Sequence, residues 1–365
     1  MFEGLTLLGA GLAHFMTPAS LFNVAWATVV GIIIGVLPGL TATMGVALLV
    51  TLTYPMPPDQ AILCLMCIYV GAIYGGSRTA ILLAIPGTPA SAATTLDGHP
   101  LALAGKGGLA MGLATTSSAL GTLVGIVALA LLAPLLAEAA INFGSYEFFW
   151  LALFGVVISG RLTAFDDPIK GYVAGLLGLL VAMIGMEGLH AFRRFTFGVS
   201  SLGGGINLIP AMVGAFGLAE ILLVMKRRLS ARVADASDRV VPRMSELWKY
   251  RRTTLRSGLI GTFVGIIPGV GEDIGAWGSY AAARRVSAER EMFGKGSLEG
   301  LIASETGNSA AIPGAMIPTL TLALPGSAAA AVLIAAMFIH GIRPGPMLMV
   351  ENAPFLYQVV AMLAL

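Results

Sequence analysis

Four Pro-Gly pairs, Pro38-Gly39, Pro86-Gly87, Pro268-Gly269 and Pro325-Gly326, hold the chemistry most open to reading in this chain. Proline removes an amide donor and ends a helix. Glycine permits close approach and unusual φ, and the residues that follow can start a new helix whose first N–H groups have no partner. Such an end attracts anions. Hydroxyls stand just beyond the breaks: Thr41 and Thr43 after the first, Thr88, Ser91, Thr94 and Thr95 after the second, and Ser327 after the fourth. Amides and hydroxyls together hold a carboxylate without burying a counter-cation. Gly39, Thr41, Thr43, Gly87, Thr88, Ser91, Thr94, Gly326 and Ser327 are therefore the candidate anion ligands. The bland alternative is a set of packing kinks, and the pairing of the four sites weighs against it.

A second group consists of polar residues in apolar surroundings: Arg78, Asp97, His99, Glu272, Asp273, Glu305, Asn308, His340 and Arg343. Inside a bilayer such residues are functional candidates by default. Glu305-Thr306-Gly307-Asn308-Ser309 offers a carboxylate, an amide and two hydroxyls, suitable for a coupling sodium ion or proton. Glu272 and Asp273 directly follow a break, so they either coordinate a cation or cap the next helix. Asp97 and His99, in Asp-Gly-His-Pro, are either site residues or loop residues ending a hairpin. His14 and His190 fall near predicted ends and read as interfacial. Cys64 and Cys67 form C-x-x-C inside an apolar run with no further ligands in view, so they read as packing residues, and neither metal nor cofactor is expected.

These residues need elements that place them in a membrane. Of 365 residues, 57% are hydrophobic and only 11% charged, and the mean hydropathy is +0.88; soluble domains carry about a quarter charged residues. The apolar runs are continuous rather than alternating, which excludes an outer-membrane barrel. Forty-seven glycines suit close helix packing. A net charge of +2 gives no reason to expect nucleic acid as a partner. Ten of the 21 Lys and Arg lie between Lys226 and Arg256, which places that connection in the cytoplasm by the positive-inside rule. The run Arg284 to Lys295 reads as a candidate for the same side. Glu3 and the lack of a basic start argue against a cleaved signal peptide.

Several apolar runs, among them Thr41–Thr53, Ala61–Ile73 and Met316–Leu324, are too short to span and have the length of re-entrant half-helices. Gly108–Ala140 is long enough for more than one pass. Self-comparison aligns Gly31 to Leu40 with Gly261 to Val270, both glycines and the Pro-Gly pair in register, and Ala84 to Ala90 with Ala323 to Ala329. Two matches in the same order, with offsets of 230 and 239, indicate a duplicated half. The expected architecture is an all-α polytopic membrane protein of two sequence repeats with broken helices or re-entrant hairpins. Its first membrane repeat covers 1–225, its basic cytoplasmic connection 226–256, and its second repeat 257–365, which ends early relative to the first and reads as incomplete at the C-terminus. Paired breaks of this kind point to a secondary transporter with its site between the repeats.

Longer strings add a resemblance. Pro86 to Thr94, Asp97-Gly98-His99-Pro100, Arg194 to Gly198, Phe293-Gly294-Lys295-Gly296, Glu305 with Asn308, Ile317 to Ala331 and His340 to Pro346 together resemble the large membrane subunit of the tripartite tricarboxylate transporter family. The resemblance covers nearly the whole chain. It implies a multi-pass permease of the bacterial inner membrane that works with a small membrane subunit and a periplasmic solute-binding protein. Such a permease takes up a carboxylate by symport with an ion rather than by ATP hydrolysis; the chain has no Walker A loop. The sequence departs from the family's habit at Ser309 and Ala84, where asparagine is frequent, and at Pro313, in a stretch usually rich in Ala and Gly.

Two other classes compete. Gly307-Asn308-Ser309-Ala310 approximates the surroundings of an intramembrane serine hydrolase nucleophile, with His340 as base, although Ala310 is not the glycine expected. A passive channel or structural subunit is the third reading.

Overall fold

The computed structural model describes residues 2–37, 40–163, 168–187, 192–206 and 238–365, with single positions 210, 211, 214, 218 and 222. Pro38, Gly39, His190, most of the run Ile206–Val224 and the first part of the basic connection lie outside the described residues.

The chain has a membrane protein's distribution of polarity. Leu123, Phe149, Trp150, Phe154, Leu176 and Leu177 are exposed, while Ser77, Arg78, Asp97, Glu272 and Glu305 are buried. Among the described residues three helical stretches, Pro18–Val36, Pro58–Leu83 and Ser91–Ile141, are long and apolar enough to cross a bilayer. The first part comprises α1 (Phe2–Phe15), α2 (Pro18–Val36), α3 (Ala42–Thr53), α4 (Pro58–Leu83), α5 (Ser91–Leu101), α6 (Gly107–Ile141), α7 (Ser145–Thr163) and α8 (Pro168–Ala182). Then come α9 (Met244–Lys249), α10 (Arg251–Ile266), α11 (Gly271–Val286), α12 (Leu298–Leu322), α13 (Ala328–Ile339), α14 (Leu348–Glu351) and α15 (Ala353–Ala364). A two-residue ladder pairs Gly185–Met186 with Arg193–Arg194.

Four expectations change. Gly108–Ala140 is not two passes but part of one 35-residue helix, α6, which carries Pro134 inside it. The run Ala61–Ile73 is not a half-helix but part of α4, which continues to Leu83 because the polar stretch Gly75 to Arg78 is buried among partners rather than exposed in a turn. Pro313 and Pro318 sit inside α12 without ending it. Hydroxyls of Thr319 and Thr321 bond the Ala315 and Ile317 carbonyls at 2.6 and 2.7 Å along that stretch. Of the two readings left open for Asp97-Gly98-His99-Pro100 the loop falls, since the segment belongs to α5.

Glycine governs the tightest crossings. Gly31 and Gly35 of α2 face the backbone of Ile68 and Ala72 in α4, and Gly261 and Gly265 of α10 face that of Gly307 and Ala311 in α12. A Cβ at any of the four would collide with a backbone carbonyl. Helices α4 and α12 end alike, with Ala84 (φ 56°, ψ 26°) and Ala323 (φ 54°, ψ 27°) in the left-handed region. The next amides, Ile85 and Leu324, donate to Thr79 and Pro318 carbonyls, each at 3.3 Å.

Polar contacts gather the helix ends at two poles. At one, Gln60 bonds Ser20 and Asn23, each at 3.0 Å, and Thr53 meets His340 at 3.4 Å. That pole therefore holds the starts of α2 and α4 and the ends of α3 and α13. At the other, Glu299 accepts from Thr253 and Ser287, each at 2.5 Å, and Glu289 accepts from Lys249 and Tyr250 at 2.6 and 3.0 Å. The two charged connections thus meet on one face, as expected. Asp97 Oδ1 accepts the N–H groups of Gly294, Gly296 and Ser297, which brings the end of α5 to the same face.

Candidate functional site

A cavity of about 480 Å³ lies where the breaks converge, within the roughly 300–1,000 Å³ usual for small-molecule sites. Its lining includes Thr41, Thr43, Thr88, Gly269, Glu272, Asp273 and Ser327. Thr41 caps α3 by accepting the Met44 N–H at 3.3 Å, and Ser327 caps α13 by accepting the Ala330 N–H at 3.2 Å. Helix α11 starts at Gly271 with both carboxylates in its first turn. Three helix starts therefore border one cavity, and the Gly269 N–H donates to the Pro325 carbonyl at 3.0 Å, tying two breaks together. Among the described lining residues there is no Lys, Arg or His.

Glu272 is bound to a residue the sequence reading passed over. Tyr69 of α4, fully buried, donates its phenol proton to Glu272 Oε2 at 2.9 Å, and its oxygen lies 2.9 Å from Ser327 Oγ. With that proton committed, Ser327 is the donor to Tyr69. One phenol thus links α4, α11 and α13 at the cavity. The available signal was a lone hydroxyl in the apolar run Ala61 to Val70. Trp277, which also lines the cavity, was likewise missed.

Other expected ligands are placed elsewhere. Ser91 is buried, with its hydroxyl donating to the Thr88 carbonyl at 2.7 Å and accepting the Thr88 N–H at 3.1 Å; it shapes the turn instead of lining the cavity. Gly87 and Gly326 pack against Gly35 and Gly265 respectively, serving the crossing rather than the lining. The Thr94 hydroxyl is bonded to Glu305. Gly39 lies outside the described residues.

Glu305 forms a separate buried centre. Ser77 donates to Oε1 at 2.7 Å, Thr94 also donates to Oε1, and Ser118 donates to Oε2 at 3.0 Å. Arg78 Nη2 stands 3.8 Å from Oε2, while its Nη1 bonds the Met111 carbonyl at 2.9 Å and Thr115 at 3.1 Å. Its guanidinium lies 4.1 Å from the centre of the Tyr74 ring. This carboxylate joins α4, α5, α6 and α12. The expected grouping of Glu305, Asn308, Ser309, Glu272 and Asp273 is therefore divided. Asn308 is 1% exposed with both amide atoms unpartnered among the described residues, and Ser309 lines a different cavity with Thr28, Tyr74 and Ser118. His340 meets Thr53, away from the pairing a hydrolase would need. Cys64 and Cys67 are buried free thiols, and no metal-holding group of residues occurs among those described.

An apolar exterior, a polar interior and helices interrupted at a shared cavity define a polytopic membrane protein of the broken-helix kind. Residues 21–365 match the family described as "Tripartite tricarboxylate transporter TctA family", and the chain belongs to it. Membership makes it a transporter component rather than an enzyme and implies a tripartite system with other subunits, so the serine-hydrolase reading falls. The chain is 34% identical over 373 residues to an uncharacterized 52.8 kDa protein in the TAR-I ttuC' 3' region of Agrobacterium vitis, an alignment covering 99% of this chain and 72% of that one. It is 31% identical over 101 residues to an uncharacterized protein in the TAR-II ttuC' 3' region of the same organism, covering 28% and 42% of the two chains. No solved structure matches.

Proposed function

We propose that this chain is the permease subunit of a binding-protein-dependent secondary transporter that carries a tricarboxylate or related carboxylate across the bacterial inner membrane. The observation behind this reading is the meeting of the α3, α11 and α13 starts, with the Thr88 break, at one cavity with no cationic side chain among its described lining residues. A partly buried helix start contributes up to about 2 kcal/mol toward an anion, so several suffice without a buried Lys or Arg. Substrate carboxylates take the amides and hydroxyls at Thr41, Thr43, Thr88 and Ser327. Glu272 and Asp273, acidic within an anion site, call for a cation beside the substrate, and sodium or a proton fills that role. Asn308, buried and unpartnered, is the further polar group that an ion could satisfy. Glu305 serves as a fixed counter-charge for Arg78.

The reading includes two inverted repeats, 1–225 and 257–365, joined by 226–256. It is supported by the paired glycine crossings and left-handed helix ends, and by the opposite poles from which α2–α4 and α10–α12 start. A small membrane subunit and a periplasmic binding protein complete the system.

The test is uptake of labelled citrate and smaller carboxylates into vesicles holding all three components, with sodium and proton gradients imposed separately. Saturable accumulation that depends on the binding protein and one gradient is expected, and separates a carrier from a channel. No accumulation of any carboxylate in assembled vesicles would overturn the reading.

A further inference from the structure

Trp277 lines a second cavity as well as the first. This one, of about 550 Å³, is bordered by Leu96, Trp277, Tyr280, Ala281, Arg284, Arg285, Arg290 and Glu291, and it lies on the face where the two charged connections meet. Helix α11 runs directly between the two cavities, from Glu272 and Asp273 in its first turn to Arg284 and Arg285 in its last. Eleven residues at about 1.5 Å each make that path roughly 16 Å. Arg284 and Arg285 are exposed and form no ion pair among the described residues, and Arg290 arrives from the following segment with Glu291 at 3.6 Å. Beside this path Ala90 and Ala93 pack on Ala276, all fully buried. The bulky groups that both cavities meet here reduce to Trp277, 39% exposed.

We propose that Arg284, Arg285 and Arg290 form a cytoplasmic release vestibule for the carboxylate substrate, with the Trp277 indole as the partition between it and the central cavity. This inference rests on the proposed carboxylate transport and on the cytoplasmic placement of the charged face. A carboxylate leaving helix starts on one side of the indole passes to guanidinium groups on the other. The last-turn arginines also lie at the end of α11 that favours cations, so they hold their charge toward the cavity at little cost.

The test uses the full chain in phosphatidylcholine nanodiscs, with Cys64→Ala and Cys67→Ala as background and Ala281→Cys as reporter. A negatively charged methanethiosulfonate reagent should react with the introduced thiol roughly tenfold faster than its positive counterpart at low salt. Arg284→Gln with Arg285→Gln should remove that preference. Citrate at millimolar concentration should slow the reaction where sulfate of equal ionic strength does not. Equal rates for the two reagents, or no specific protection by citrate, would overturn the vestibule. So would protection that appears only when phosphatidylglycerol is included, which would make the arginines a lipid-headgroup site. In vesicles with all three components, Trp277→Ala should raise gradient-independent citrate leak roughly tenfold, and a tight variant would overturn the partition. Loss of reagent preference with intact wild-type uptake strikes this inference alone. Intact preference and protection with no wild-type uptake strike the transport reading alone.

Discussion

The break after α4 and the break after α12 share backbone geometry but differ in chemistry. Each follows a left-handed alanine, each packs its glycine against a glycine of the parallel neighbour, and each is followed by a hydroxyl that accepts an N–H three residues on: Thr88 from Ser91 at 3.4 Å, Ser327 from Ala330 at 3.2 Å. Beyond that the two regions part. Among the described lining residues, the polar side chains of the α2–α5 region are hydroxyls, whereas the α10–α13 region brings Glu272 and Asp273. At this cavity the first region reaches the second through Tyr69, bonded to Glu272 and Ser327. The difference teaches that the break and its capping hydroxyl are backbone features shared by both regions, while the carboxylates at the cavity belong to one.

The most damaging way to probe this is at the shared backbone. Gly35→Val and Gly265→Val should each abolish folded protein, because a side chain would enter the Ala72 or Ala311 carbonyl, an overpacking cost at or above about 3 kcal/mol. Monodispersity after detergent extraction reads this, and tolerance at only one site would break the likeness. The carboxylates come next. Glu272→Gln and Asp273→Asn should each lower gradient-driven uptake roughly 10- to 100-fold, the range for hydrogen bonds to charged groups, while Thr43→Ala stays within a few-fold; equal losses would erase the contrast. Tyr69→Phe should cost up to about tenfold in uptake through the same charged bond, with the apparent affinity for both substrate and coupling ion changed. A shift in only one would sever the bridge between regions.

Smaller still are the caps. Thr41→Ala should destabilise by about 1 kcal/mol through loss of its cap, and Ser327→Ala by more, since it also loses the buried bond to Tyr69; equal thermal unfolding of the two variants would deny that bond a role. The smallest effect belongs to the pole where the charged connections meet. A hydrogen bond from Lys249 holds the Glu289 carboxyl below the usual range. Its depressed value means the contact contributes above the ordinary glutamate pKa and is lost as pH falls through the lowered one. The slight difference in melting temperature between wild type and Glu289→Gln should therefore vanish on acidification; a difference that grows would contradict the contact.

The breaks were legible because proline and glycine act locally, and Thr41, Thr43, Thr88 and Ser327 indeed border one cavity. The separation of Glu305 from Glu272 was not, since it depends on which helix faces which, and Ser77, Thr94 and Ser118 come from three different helices. Hydropathy divided α4 at Gly75 to Arg78 because it scores polarity without seeing that Arg78 finds its partners inside. The same limit hid Tyr69, an aromatic side chain whose single polar atom decides its role. Ala84 was noted only as a departure from asparagine; its left-handed conformation, which asparagine adopts more readily, gives that departure a physical meaning.

Those two alanines have a mechanical consequence. Each is held in a turn that an L side chain resists by about 1–2 kcal/mol, and each ends its helix ahead of the break that leads to α5 or α13. A turn kept under tension gives that energy back when it unwinds, so opening it requires less work than opening a relaxed turn would. Alanine there makes the reversal a sprung hinge, and glycine would make it a slack one.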